Sequence, residues 1–304
     1  MSTTQPEAQS GVHADVIHDI GYRHYDGPRL GRAYARRSLY VQSLRGAYGL
    51  GRSAKSKVMP MILFAVMCAP AAIIVAVAIG TSMTKLPIEY TRYAIIMQTV
   101  ISLFLAAQAP QSVSLDLRFK VTPLYFSRPI ERIDYVAAKY AALATALFIL
   151  TAVPVTILYI GSLLAKFDFG DATSGFAKAL VAELLLSLLY AGLGLLIAAL
   201  TPRRGFGVAG IIALFTLSYG AVSSVQAVAS VQGSKSAIGW LGLFSPITLI
   251  DGVQTWWLGA SSSYVDAAGP SSALAGCVFL FVLLALIGGT FGLLMSRYRK
   301  VGLS

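Results

Sequence analysis

The chain has 304 residues, 56% of them hydrophobic and only 12% charged, about half the charged share of an ordinary soluble domain. That composition excludes a soluble globular protein, and the apolar residues come in long blocks rather than the many segments of about ten alternating residues that a transmembrane barrel requires. The net charge of +11 does not call for a nucleic-acid partner, because its distribution along the chain follows a membrane rule instead.

Residues 1 to about 26 are polar and aperiodic, and they hold all three histidines, His13, His18 and His24. They read as a solvated tail; no carboxylate or cysteine spacing fixes a metal geometry around them. From Pro28 the pattern changes to a helix with Leu30, Tyr34, Val41, Leu44 and Tyr48 on one side and arginines on the other. This is expected to be an amphipathic helix in the cytoplasmic headgroup layer, with packing on a soluble partner as the alternative. The domain division that follows is 1–57, tail and interfacial helix, and 58–304, a transmembrane domain.

Six apolar blocks reach the roughly 20 residues that cross the hydrocarbon layer: Val58 to Gly80, Tyr93 to Leu115, Tyr140 to Leu164, Ala177 to Leu200, Phe206 to Val228 and Ser272 to Ser296. The predicted fold class is therefore all-α integral membrane. The first block begins too late and runs too long for a cleaved leader, so it is expected to be retained. Cys68 and Cys277 fall inside spans and read as small buried hydrophobes. The connections Thr81 to Thr91 and Lys166 to Gly175 are too short to form domains. The last connection contains a further apolar stretch, Ile238 to Gly259, interrupted by Pro246 and holding Trp240, Trp256 and Trp257. Tryptophan favours the interface, so a re-entrant hairpin in the outer leaflet is expected; a seventh span is the competing reading.

Nineteen of the 24 Lys and Arg residues lie before span one, between spans two and three, between spans four and five, and after span six. Positive charge marks the cytoplasmic side, which puts both termini inside a cytoplasmic membrane. In the interiors of the spans ionisable groups are nearly missing; Glu183 of span four is the exception. A proton- or sodium-coupled carrier normally needs a buried acid or a broken helix, so the chain is expected to draw its energy from elsewhere. Gly49 to Ser56 lacks the Gly-Lys pair of a nucleotide-binding P-loop, and the glycine spacing of Gly205 to Gly210 opens a membrane helix instead of following a strand. Those glycines, with Gly192, Gly194, Gly288 and Gly292, are expected to permit close helix packing.

Between spans two and three runs a mixed stretch from Ser114 to Lys139 that contains Ser127-Arg128-Pro129-Ile130 and then Arg132, Tyr135 and Lys139. Here the sequence resembles the permease subunits of type-2 ATP-binding cassette (ABC) transporters, and the six-span layout with its preceding helix and late hairpin resembles them too. One departure stands out: where family members often have a Glu-Arg-Glu-type helix, this chain has Asp116, Arg118 and Lys120. The resemblance implies a permease dimer, a homodimer by expectation, binding two cytoplasmic ATPase subunits that hold the ATP and Mg. The chain itself would not be catalytic, and the transport would be export. The residues expected to couple to the ATPase are Asp116, Leu117, Arg118, Phe119, Lys120, Leu124, Tyr125, Ser127, Arg128 and Pro129; a short helix with exposed apolar side chains suits docking into a groove. Polar span residues expected on the translocation path are Gln98, Ser102, Gln108, Glu183, Ser218, Tyr219 and Gln226, with interhelical hydrogen bonding as the alternative. A non-transporting scaffold and a secondary carrier are the rival functions.

Overall fold

A long apolar block in lipid can satisfy its peptide groups only internally, so each block should fold as a continuous helix. The computed structural model describes residues 27, 30–51, 53–81, 83, 85–119, 125, 130–201, 203–264 and 269–301. Their helices are α1 (Arg32–Ala47), α2 (Ala54–Gly80), α3 (Tyr90–Ile96), α4 (Gln98–Arg118), α5 (Arg132–Leu164), α6 (Phe169–Leu200), α7 (Arg204–Val231), α8 (Lys235–Leu241), α9 (Pro246–Leu258) and α10 (Ala273–Val301). No strand occurs among the described residues. Six helices, α2, α4, α5, α6, α7 and α10, are long and apolar enough to cross a membrane, and they coincide with the six predicted blocks.

The boundaries differ from the sequence reading at several helix ends, and in three places a local reason is visible. Span two is two helices: Tyr93 donates to the Met67 carbonyl of α2 (2.5 Å) and Tyr90 to Ser162 of α5 (2.7 Å), which pins α3, and the chain re-aims at Met97 before α4 begins. α5 starts eight residues before the predicted Tyr140, because Glu131 and Asp134 form a reciprocal capping box at its first turn. α6 starts at Phe169, not Ala177, because the Asp168 carboxylate accepts the Asp171 amide (2.9 Å). The connection between spans three and four thereby shrinks to a tight turn in which Lys166 adopts a left-handed φ of 60°.

The described residues from Gly31 onward form one compact unit, which includes α1. In this unit α5 is the hub, packing on α6, α2, α1, α4 and α10. α4, α5 and α6 are mostly buried, whereas α2, α7 and α10 leave most of their apolar surface open. Glycines mark the close approaches: a Cβ at Gly161 would collide with Val75 of α2, and one at Gly194 with Leu105 of α4. Gly288 and Gly292 instead face open space, so these two glycines of α10 do not serve packing among the described residues.

Candidate functional site

The polar residues that the fold gathers lie at the end of the bundle where α4 stops and α5 begins. On α5, Tyr135 and Lys139 sit one turn apart and share a face. The Tyr135 hydroxyl donates to Asp116 Oδ2 (2.7 Å), and Lys139 Nζ pairs with that carboxylate at 3.0 Å while donating to the Ser112 carbonyl (2.8 Å). Ser112 and Asp116 are likewise a turn apart on α4. The Tyr135 ring also packs on Tyr125 and on Tyr298 of α10, with centroids 5.5 and 5.1 Å away. Three helices therefore meet in one ionic and aromatic knot. A charge pair held by further hydrogen bonds in a low-dielectric setting is stiff.

The same start of α5 also holds α1. Arg32 bonds Asp134 Oδ2 (2.6 Å) and pairs with Glu131, and Arg36 reaches Asp134 at 3.8 Å. Tyr40 donates to Thr145 (3.1 Å) and Tyr48 to the Ala146 carbonyl (2.7 Å), so α1 is fastened along about the first four turns of α5. Leu39, Ala47 and Tyr48 face inward, while Tyr34 and Val41, expected on the same apolar side as Tyr48, are exposed. Between α1, α4 and α5 lies a cavity of about 130 Å³, lined by Gln42, Ser43, Gln108, Gln111, Ser112 and the Asp116–Lys139 pair.

Of the residues expected to couple to a partner, Asp116 is turned inward and ion-paired, and Leu117 is half-buried against the core. Arg118 and Phe119 are exposed, Phe119 at 66%. Tyr125 packs at a tilt on Tyr135, and Lys120, Leu124, Ser127, Arg128 and Pro129 lie outside the described residues.

The expected path residues do not converge on one channel. Gln98 is half-buried, and its carbonyl accepts the buried Ser102 hydroxyl (2.7 Å); Gln108 lines the cavity. Gln226 ties α7 to α8 by donating to the Ile238 carbonyl (2.9 Å), Ser218 reaches Ser245 at 3.5 Å, and Tyr219 lies on the open face of α7. Glu183 is 2% exposed near the middle of α6, with Thr151 of α5 beside it, and neither carboxyl oxygen meets hydrogen-bond geometry with a partner among the described residues. Ser187 and Tyr190, on the following two turns of the same face, also carry buried hydroxyls with no hydrogen-bond partner among the described residues.

At the opposite end, α9 is buried from Pro246 to Gln254. Its Asp251 accepts Gln254 Nε2 and the Ser263 amide, both at 2.9 Å, folding the 259–264 segment back. Burial pushes the Asp251 carboxyl up to about 6, against the pull of those donors and of nearby Arg92. Tyr264 completes the staple by donating to the Thr248 carbonyl (2.5 Å).

Sequence reasoning missed the Arg32–Asp134 bridge, the role of Tyr298 and the glutamine lining of the cavity. The Glu131/Asp134 spacing was the available signal, since an acid pair three residues apart before an apolar run marks a capped helix start. No group of three or more His, Cys, Asp or Glu residues placed to hold a metal occurs among the described residues. Comparison with models of known protein families and with curated proteins finds no match.

Proposed function

We propose that this chain is the permease subunit of an ABC exporter, working as a dimer in the cytoplasmic membrane with two separate ATPase subunits docked on the connection from Phe119 to Ile130. In this reading both termini are cytoplasmic, α1 lies in the inner headgroup layer, and the α8–α9 segment is a hairpin re-entering the outer leaflet. The observation that carries the reading is the knot of Asp116, Lys139, Tyr135 and Tyr298. The connection leaves α4 within one turn of Asp116 and enters α5 two turns before Lys139. A partner pressing on it therefore acts on α4, α5 and α10 together, as rigid elements that re-aim around a bistable contact.

The test is co-purification of the tagged chain from its native membrane, with mass spectrometry of its partners, beside a Phe119→Asp/Leu124→Asp variant. A cassette ATPase recovered with the wild type and lost with the variant supports the proposal. Recovery of no such ATPase removes the energy source and leaves a membrane scaffold as the better reading.

A further inference from the structure

α1 carries four described arginines, and the fold divides them into two pairs. Arg32 and Arg36 are neutralised by Glu131 and Asp134 at the start of α5. Arg37 and Arg45 are exposed and have no carboxylate partner among the described residues. Both line a groove of about 530 Å³ on the outside of α1, within the roughly 300–1,000 Å³ of small-molecule sites. Its walls follow one helical face, Tyr34, Ser38, Val41 and Arg45 at successive turns, and the turn at Leu50 and Gly51 closes it. The groove is thus cationic and hydroxyl-bearing in one part and apolar in another, with Tyr34, Val41 and Leu50 all accessible.

We infer that this groove binds one anionic phospholipid of the inner leaflet, its phosphate between Arg37 and Arg45 and the upper part of an acyl chain along Tyr34, Val41 and Leu50. Charge complementarity favours this occupant, since the carboxylates that neutralise Arg32 and Arg36 do not reach Arg37 and Arg45. Guanidinium forks match phosphate oxygens, and the apolar half of the groove has no use for a soluble anion. Gln42 and Gly46 line both this groove and the cavity beside Asp116–Lys139, so the bound lipid would sit one helix wall from the knot. The inference rests on the reading that α1 lies on the cytoplasmic side of the membrane.

Native mass spectrometry of the purified full chain, titrated separately with phosphatidylglycerol, phosphatidylcholine of the same acyl chains, and glycerol phosphate, tests it. Wild type is expected to keep one phosphatidylglycerol preferentially. The Arg37→Gln/Arg45→Gln variant should bind it about twenty-fold more weakly, whereas Arg37→Lys/Arg45→Lys retains most of the binding. Val41→Asp, an exposed change that leaves both arginines, should also weaken retention, and Arg203→Gln should not. Equal retention of phosphatidylcholine, uptake of glycerol phosphate alone, or unchanged binding in the glutamine variant would overturn the lipid site. No ATPase is present in the measurement, so its outcome is separate from whether one docks on the 119–130 connection.

Discussion

Removing the Lys139 ammonium leaves the Asp116 carboxylate in a half-buried position with the Tyr135 hydroxyl as its remaining hydrogen-bond donor among the described residues. Stranding one member of such a pair costs more than deleting both. Lys139→Met is expected to lower stability by about 3 kcal/mol, and Asp116→Asn/Lys139→Met to recover most of that loss, as read by denaturant unfolding in detergent. Glu183 behaves in the opposite way, because among the described residues no ion-pair partner faces its carboxyl and Thr151 is a neutral neighbour outside bonding geometry. Glu183→Gln is expected to leave the melting temperature unchanged or raise it; a drop of several degrees would mean that the carboxyl is engaged. Neither outcome was legible in the sequence, which shows that Glu183 is the isolated acid of the spans but not whether a donor faces it.

At the scale of elements, the helices were legible and their ends were not. Length and hydropathy locate an apolar block, whereas a boundary depends on a cap of a few atoms, as at Asp168 and Glu131. The break at Met97 is hidden for a related reason: two tyrosines bind other helices, and no proline or glycine announces the kink. Packing between elements yields a direct test at Gly161, where Val is expected to push α5 from α2 and destabilise by about 2 kcal/mol, while Gly288→Ala, facing open space, is neutral; thermal unfolding of the two purified variants compares them. The α9 staple yields a pH test. The ordinary Asp value is 3.8 and the folded value about 6, so between them the folded state holds a proton that the unfolded chain has lost. Stability from this group is full below pH 3.8, falls as pH rises toward 6, and is level above it. Asp251→Asn is expected to flatten that slope in unfolding measured from pH 4 to 7.

For the whole molecule, α2, α7 and α10 form an apolar perimeter around the buried α4, α5 and α6, an arrangement that suits hydrocarbon and no aqueous setting. The charge asymmetry predicts which end faces the cytoplasm. In a chain lacking Cys68 and Cys277, Ser271→Cys is expected to react with an impermeant maleimide added to intact cells, and Ser53→Cys only after permeabilisation. The reverse pattern would invert the proposed topology. The candidate site was legible in part: Asp116, Tyr125, Tyr135 and Lys139 stand out in the sequence of one connection, but their convergence with Tyr298, about 160 residues further along, comes from the crossing of α5 and α10.

The bridge from Arg32 to Asp134 joins residues 102 positions apart, and this separation constrains how the protein is made. During synthesis α1 leaves the ribosome with its arginines unpaired, and α2, α3 and α4 must follow before Asp134 is translated. At about 5–20 residues per second the wait lasts about 5–20 s, longer than helix formation or loop closure takes. Throughout that interval α1 lacks its α5 partners, so its final seat is taken late, after two of the six span-length helices have been made.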